Sequence, residues 1–332
     1  MERPVNRPEP SKSKSFAGPR SPSRLGPRDR RPAELSADIS GRTHRAATLV
    51  ANLPDGRQLS WLELGNPRGP AAFVFHGTPG SRLQLSFNDR AIGTAGVRFI
   101  APDRPGYGHS TYQPGRRLTD WPSDVRVLAD HLQIERFSVI GISGGGPHAA
   151  ACARLLGDRV DALGIVSGVG PISEINSEGG AGRVADVISN LARRSHYWIV
   201  PPLALTSAMA RLWPEAALRI SSRQMPAVDL AVLARPEVTA AFVEERRCSS
   251  STRAFAFAQD IALFVQDWGF RLEDIKVPAQ IWHGTHDHNV PFAHGQYLAE
   301  RIRGSTLHRC EGEGHLLAVD RTTEILRSVC AF

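Results

Sequence analysis

Residues 137–146 read FSVIGISGGG, and this stretch decides the fold. Its apolar, partly β-branched first half predicts a buried strand, and the alanine-rich run after it predicts a helix. The Gly-x-Ser-x-Gly motif of residues 141–145 therefore lies on a strand-to-helix turn, which is the context of a nucleophile elbow. Gly141 and Gly145 suit a turn in which a side chain would collide with the backbone. The strain of that turn presents the Ser143 hydroxyl to a substrate.

Outward from this motif, short apolar strands alternate with helical patterns. Strands are predicted at Thr48–Asn52, Arg57–Leu64, Ala71–Phe75, Val97–Ala101, Val160–Val166, Ala279–Trp282 and Thr306–His308. Helices are predicted near Leu83–Gly93, from about Pro122, and at Phe292–Ile302 and Leu316–Val329. Because strands buried on both faces are apolar throughout, this alternation predicts an α/β fold, a mostly parallel central sheet with helices on both faces.

The alternation is interrupted over residues 170–258, a proline-containing stretch of helical pattern that is too long for a simple connection. We predict a helical cap inserted there, between two parts of an α/β core at residues 47–169 and 259–332. The cap includes a strongly apolar segment formed by Tyr197, Trp198, Ile199, Val200, Leu203, Leu205 and Met209. These side chains either hold the cap together and onto the core or roof an apolar substrate pocket.

The net charge of +7 is concentrated at the N terminus. Residues 1–46 contain 11 Lys/Arg and 5 Asp/Glu, so they carry six of the seven net charges. This segment is rich in Pro, Ser and Arg and poor in large apolar residues, which predicts a disordered basic tail. The rest of the chain is close to neutral and gives no electrostatic reason to expect a nucleic-acid partner.

Neither membrane insertion nor export is expected from the sequence. The chain has no run of the roughly 18 apolar residues that cross a bilayer, and the tail lacks the apolar core of a secretion signal. Four cysteines have neither paired nor ligand-like spacing, and we predict free thiols at Cys152, Cys248, Cys310 and Cys330. Together these features predict a cytoplasmic protein.

A serine hydroxyl becomes a nucleophile when a histidine accepts its proton and an acid orients that histidine. After a nucleophile elbow, the expected chain order is Ser, acid, His. Asp287 follows the predicted strand that ends at Trp282, and His315 follows the next strand, 28 residues later. Since the carboxyl ends of the strands hold the chemistry of an open α/β sheet, we predict a catalytic triad of Ser143, Asp287 and His315.

Other roles for these residues remain open on the sequence alone. His315 alternatively makes a structural hydrogen bond at a helix start, and Asp287 alternatively caps a turn. Glu174 is the rival acid because it also follows a predicted strand. Three more histidines lie near Asp287 at His283, His286 and His288. Loop and strand positions would scatter them and no carboxylate or cysteine completes a ligand set, so no metal site is predicted.

Acyl transfer also needs donors for the developing oxyanion. One is predicted at the Gly144 amide, which begins the helix after the elbow, where the helix dipole favours negative charge. The second is predicted in the loop His76–Gly80, where Pro79 has no N–H and Thr78 is the natural donor; the alternative is a plain turn. Residues 103–110 read DRPGYGHS and predict a structural turn fixed by ion pairs and hydrogen bonds.

Five motifs together resemble the α/β-hydrolase superfamily. They are His76-Gly77-Thr78-Pro79-Gly80, Asp103-Arg104-Pro105-Gly106-Tyr107-Gly108, Gly141-Ile142-Ser143-Gly144-Gly145, Gly284-x-x-Asp287-x-x-Val290-Pro291 and Gly314-His315. The resemblance covers about residues 47–331, apart from the predicted cap. It implies the α/β-hydrolase fold with a serine nucleophile, an acid–His pair and a two-amide oxyanion hole.

Within this superfamily, the serine at position 143 differs from the aspartate of the dehalogenase and epoxide-hydrolase branches. The chain is most similar to capped esterase, lipase-like and proline-iminopeptidase-like members. Its HGTPG loop at His76–Gly80 differs from the HGGPG that is usual in the aminopeptidases.

We therefore predict an enzyme, a serine hydrolase of the esterase type. It would cleave a carboxylic ester, thioester or related acyl compound through an acyl-enzyme on Ser143, with no cofactor and no metal. The predicted partner is a small, partly apolar acyl substrate. Two alternatives remain open, namely a C–C bond hydrolase or lyase using the same triad, and a small-molecule sensor with slow turnover.

Overall fold

The computed structural model describes Met1 and residues 48–175, 190–247 and 252–331. The predicted disordered tail at residues 1–46 lies outside the described residues, apart from Met1. Parts of the predicted cap, including Cys248, also lie outside them.

One mostly parallel sheet forms the centre of the described structure. Its strands are β1 (Leu49–Asn52), β2 (Gln58–Gly65), β3 (Ala71–Phe75), β4 (Arg98–Pro102), β5 (Phe137–Ile142), β6 (Val160–Val166), β7 (Ala279–Gly284) and β8 (Thr306–Cys310). Their order is β1-β2-β4-β3-β5-β6-β7-β8. The pairs β1–β2 and β2–β4 are antiparallel, and the other neighbouring pairs are parallel. The predicted α/β architecture is thus confirmed.

The α-helices of the described residues follow in chain order. They are α1 (Asp89–Ala95), α2 (Trp121–His131), α3 (Gly146–Leu155), α4 (Val200–Leu212), α5 (Pro214–Ser221), α6 (Ala227–Leu233), α7 (Pro236–Arg247), α8 (Arg253–Val265), α9 (Phe292–Arg301) and α10 (Leu317–Val329). Residues 190–194 are also helical. Short 3₁₀ turns occur at Ser86–Asn88, Leu118–Asp120, Ser143–Gly145, His196–Ile199 and Leu272–Asp274.

Helices cover both faces of the sheet because its central strands are apolar on both faces. In β3 every residue is buried, and successive side chains point to opposite faces. Phe73 and Phe75 join an apolar cluster with α2, α3 and α9. Ala72 and Val74 join a second cluster with α1 and α10.

The chain reverses its direction across the sheet at β3 and β5. Strand β4 lies on one side of β3 and β5 lies on the other, so the connections leaving β3 and β5 diverge. Such a switch point leaves a crevice at the carboxyl ends of the strands, where open α/β sheets bind ligands. Ser143 follows β5 and the loop His76–Gly80 follows β3, so both predicted site segments lie at this crevice.

One helix differs in its bounds from the sequence prediction. The pattern near Leu83–Gly93 becomes the 3₁₀ turn at Ser86–Asn88 followed by α1. Helix α1 is capped by Gly96, which has a φ of 77° and whose N–H bonds to the Gly93 carbonyl. The left-handed glycine at position 96 therefore ends the helix, which extends two residues beyond Gly93.

Helices α4 to α8 lie between β6 and β7, in a segment that we call the β6–β7 insertion (residues 167–278). Two small apolar clusters stabilise it. One joins Val200 to α8, and the other joins α5, α6 and α7 to Leu316 beside α10. The cap bounds at residues 170–258 remain a prediction.

The apolar segment of the insertion is only partly buried. Ile199 and Val200 are buried and Leu203 is half-buried. Four other members are exposed, namely Tyr197, Trp198, Leu205 and Met209. Within α4, which begins at Val200, only Val200 is buried. The two roles predicted for this segment, holding the cap together and roofing a substrate pocket, stay predictions.

The described cysteines are free, as predicted. Cys152 and Cys310 are buried and Cys330 is half-buried. Across residues 48–175, 190–247 and 252–331, the helices are all too short or too polar to span a bilayer.

Candidate active site

Ser143 has the strained backbone that a nucleophile elbow requires. Its φ is 53°, in the left-handed region that non-glycine residues rarely adopt. A Cβ added at Gly141 would lie 2.4 Å from the Gly145 carbonyl oxygen, and one at Gly145 would lie 2.2 Å from the Phe75 carbonyl oxygen. Both glycines are therefore needed for close backbone approach, and the turn lifts Ser143 between β5 and α3.

We expect Gly145→Ala to lower the free energy of unfolding by about 3 kcal/mol, because the new methyl group would push backbone atoms of β3 and α3 apart. Gly93→Ala is the matched control, since a Cβ there meets no atom within 4 Å. Denaturant unfolding of both variants measures the difference. A Gly145→Ala protein as stable as Gly93→Ala would contradict this account of the elbow.

The three residues predicted as a triad lie in one hydrogen-bonded chain. Ser143 Oγ is 3.0 Å from His315 Nε2. His315 Nδ1 is 2.8 Å from Asp287 Oδ2. Ser143 follows β5, Asp287 follows β7 and His315 follows β8, so three parallel strands deliver the three side chains to one edge of the sheet.

Asp287 is held in place by its own turn. Its Oδ1 accepts the backbone N–H groups of Asn289 and Val290, each at 2.9 Å, which leaves Oδ2 for His315. Burial alone would raise the pKa of Asp287, but the interaction with His315 holds that pKa below 3.8. The group is therefore a carboxylate at neutral pH.

The pKa of His315 is shifted in the opposite direction, upward. Burial disfavours its charged form, but the charge of Asp287 and the hydrogen bond to it raise the pKa of His315 above 6.5. A histidine of raised basicity that accepts a hydrogen bond from a serine hydroxyl is suited to removing the serine proton.

The rival acid and the three histidines near Asp287 make contacts of their own. The carboxylate of Glu174 accepts a hydrogen bond from the Tyr297 hydroxyl. His283 is buried, and its Nε2 donates to the Val290 carbonyl at 2.8 Å, whereas His286 and His288 are exposed. Within the described parts of the chain, His, Cys, Asp and Glu side chains form no group of three or more that could hold a metal ion.

The two residues predicted as oxyanion donors, Thr78 and Gly144, lie against each other, and Gly144 directly follows Ser143. A Cβ added at Gly144 would lie 2.4 Å from Thr78 Oγ1, and one at Gly77 would lie 3.3 Å from Ser143 Cβ. The Thr78–Pro79 peptide bond is cis. The structure thus brings the loop after β3 against the first turn after β5.

A buried ion pair holds this loop, and sequence analysis missed one of its members, Asp260 on α8. Arg104 donates to the His76 carbonyl, to Thr78 Oγ1 at 2.7 Å and to Asp260 Oδ2 at 2.8 Å. Thr78 Oγ1 donates to the same Asp260 oxygen at 2.7 Å. Burial opposes the charge of Asp260, but Arg104 and Arg116 hold its pKa well below the usual range. The predicted ion pairing of the 103–110 turn is confirmed, because Arg104 pairs with Asp260 and Asp103 pairs with Arg82.

Asp229 on α6 is the second residue that sequence analysis missed. Its two carboxylate oxygens accept the backbone N–H groups of His315, at 2.9 Å, and of Leu316, at 2.8 Å. Asp229 and Asp260 share one signal in the sequence, because each is an isolated acid in an otherwise largely apolar helix. That pattern indicates a buried carboxylate with partners elsewhere, without saying which they are.

A cavity of about 670 Å³ is lined mostly by residues of the β6–β7 insertion, together with Tyr297 and Arg301 of α9, and is separate from this constellation. Glu174, Arg193, Trp268 and Tyr297 are among its lining residues, whereas Ser143 and His315 are not. We therefore do not assign this cavity to the substrate of the Ser143 site.

Comparison with known proteins places these features in a family. The family model described as alpha/beta hydrolase fold matches residues 71–322. An uncharacterized hydrolase of Bacillus subtilis (strain 168) is 27% identical over 268 residues, which cover 79% of this chain and 90% of that protein. A bifunctional esterase/perhydrolase of Acinetobacter calcoaceticus is 26% identical over 287 residues, covering 84% of this chain and 96% of that protein.

Solved structures show the same fold. The crystal structure of a bromoperoxidase from Bacillus anthracis has a TM-score of 0.63 and 21% sequence identity. The similarity covers 85% of this chain and 97% of that one. At this identity the likeness concerns the fold alone.

Proposed function

Because the chain belongs to the α/β-hydrolase family, we propose that it is a serine hydrolase that cleaves a carboxylic ester or a related acyl compound. The observation that carries the proposal is the chain of hydrogen bonds from Ser143 through His315 to Asp287. Further support comes from the Acinetobacter relative, whose name describes an esterase. The substrate class is a small molecule with a partly apolar acyl group.

In the first step, Ser143 Oγ attacks the substrate carbonyl carbon while His315 Nε2 accepts the serine proton. Asp287 keeps the other proton of the ring on Nδ1, so that Nε2 is free to act as the base. Its negative charge also stabilises the imidazolium that forms. The bond from Oγ to carbon forms as the carbonyl π electrons move onto oxygen.

The oxyanion of this tetrahedral intermediate would be stabilised by the amides of Thr78 and Gly144. Thr78 lies against Gly144, and Gly144 follows Ser143 in the helical turn that leads into α3. Collapse of the intermediate breaks the bond to the alcohol, and His315 returns its proton to that leaving group. A water molecule, activated by the same imidazole, then hydrolyses the acyl-enzyme.

The pH dependence of ester hydrolysis tests this assignment. His315 must be neutral to accept the proton, and its pKa lies above 6.5 because Asp287 outweighs the effect of burial. Asp229 also adds negative charge nearby, whereas neighbouring His283 has its pKa lowered by burial. We therefore expect kcat/KM for p-nitrophenyl acetate to rise with pH through a midpoint above 6.5 and then level off.

Steady-state kinetics across the pH range measures this midpoint. The expected loss of activity lies on the acid side, since lowering the pH through a raised pKa protonates the base. A profile with no acid limb would contradict the role of His315 as the base, and a midpoint at or below 6.5 would contradict its raised pKa. No measurable turnover at any pH would overturn the proposed function.

A further inference from the structure

The β6–β7 insertion extends two buried carboxylates into the loops of the candidate site. Asp229 comes from α6 and is 1% exposed, and Asp260 comes from α8 and is fully buried. A buried carboxylate is unfavourable unless hydrogen bonds replace its water. The partners that satisfy these two groups therefore show what the carboxylates organise.

Asp229 is satisfied by the loop that carries His315. Its two oxygens accept the consecutive N–H groups of His315 and Leu316, at 2.9 and 2.8 Å. The approach is close, because a Cβ at Gly314 would lie 2.4 Å from Asp229 Oδ1. From the same helix, Val232 joins Leu316 in one apolar cluster. Helix α6 thus fixes the backbone from which the imidazole extends.

Asp260 is satisfied by the other side of the site. Its Oδ2 accepts Thr78 Oγ1 at 2.7 Å, Arg104 Nη2 at 2.8 Å and the Tyr107 hydroxyl at 2.9 Å. Arg116 donates to Oδ1. Because Arg104 also donates to the His76 carbonyl, the carboxylate fixes both the side chain of Thr78 and the backbone that precedes it.

We propose that Asp229 and Asp260 are positioning residues, which hold the His315 imidazole and the Thr78 amide in their reactive places. The proposal rests on the proposed function of Ser143, His315 and Thr78. It makes the β6–β7 insertion part of the reaction machinery as well as a cover for the sheet. Misplacement of a reacting group by about 1 Å reduces turnover by about a hundredfold.

The first test replaces Asp229 by asparagine. One oxygen of Asp229 becomes an NH₂ group that faces a backbone N–H, so the loop must move. We expect kcat to fall by about a hundredfold with KM little changed. The removal of a negative charge also lowers the pKa of His315, which moves the acid limb of the rate profile to lower pH.

The pKa of His315 is also measured without turnover, by NMR titration of its imidazole, assigned with a His315→Gln variant. Asp287 and Ser143 contact the ring directly, His283 contacts Asp287, and all are unchanged in this comparison. Asp124→Asn is the matched control, because Asp124 is a buried aspartate bound by Arg57. We expect that control to lose stability without a change in the His315 pKa.

The second test replaces Asp260 by asparagine, with Asp124→Asn again as its control. Asp124 is a buried aspartate that binds Arg57 and makes no contact with Thr78 or Arg104. We expect Asp260→Asn to lower kcat by about a hundredfold and to accelerate amide hydrogen exchange across residues 76–80 by about tenfold or more. Asp124→Asn should keep a rate near that of the wild type and show no such acceleration confined to residues 76–80.

The possible failures are distinguishable. A wild-type protein that hydrolyses p-nitrophenyl acetate, with both asparagine variants equal to their controls in rate, His315 pKa and exchange, would overturn this inference alone. A wild-type protein without turnover would overturn the proposed function. In that case the positioning role can still be tested. An unchanged His315 pKa in Asp229→Asn, together with unchanged amide hydrogen exchange at residues 76–80 in Asp260→Asn, would refute it.

Discussion

Ser143→Ala should reduce kcat/KM for p-nitrophenyl acetate by about 10⁵-fold, to the level that binding and the oxyanion donors alone provide. The substitution removes the atom that would form the acyl-enzyme and leaves His315 without its hydroxyl partner. Because the members of such a constellation act as a unit, replacing His315 in addition should cause little further loss. Steady-state rates of the single and double variants measure this.

Ser138→Ala is the matched control for that experiment. Ser138 lies in β5, the strand that leads to Ser143, and its hydroxyl bonds to the Val329 carbonyl at 3.2 Å. The same chemical change there should leave the rate near that of the wild type. If Ser143→Ala retains a substantial part of the activity while remaining folded, hydrolysis does not proceed through this serine.

Asp287→Asn should reduce kcat by about 10⁴-fold. The side-chain oxygen would continue to accept the N–H groups of Asn289 and Val290. The new NH₂ group would then face His315 Nδ1 and donate to it, which places the ring proton on Nε2. In that tautomer the imidazole cannot accept the Ser143 proton, even though the geometry is almost unchanged.

Glu174→Gln separates the two acids that the sequence offered. Glu174 accepts a hydrogen bond from the Tyr297 hydroxyl and has no contact with His315, so Glu174→Gln should keep kcat within a few-fold of the wild-type value. Asp161→Asn, at a half-exposed carboxylate paired with Arg136, serves as a neutral comparison. A larger loss in Glu174→Gln than in Asp287→Asn would reverse the assignment of the acid.

Much of the fold could be predicted because its determinants are local. The strand before Ser143 is apolar and β-branched, and the glycines around it are required within one turn. The positions of Ser143, Asp287 and His315 were enough to predict that they meet, since all three follow parallel strands of one sheet. Parallel pairing makes the ends of such strands neighbours whatever the length of the intervening chain.

The parts that could not be predicted depend on contacts between distant segments. Asp229 is 86 residues from His315, and Asp260 is 182 residues from Thr78. Their isolation in apolar helices predicts burial but does not identify a partner. The exposure of Trp198, in the turn before α4, and of Leu205, in α4, could not be predicted for a similar reason, because hydrophobicity alone does not show which side of an element is buried.

The central claim is that Ser143 is the nucleophile, and covalent labelling with a fluorophosphonate tests it most directly. Peptide mass spectrometry should find a single stoichiometric adduct on Ser143, formed rapidly in the wild-type protein. The adduct should be absent from Ser143→Ala and form far more slowly in His315→Gln, which lacks the base. An adduct on another residue, or labelling at the wild-type rate without His315, would contradict the account.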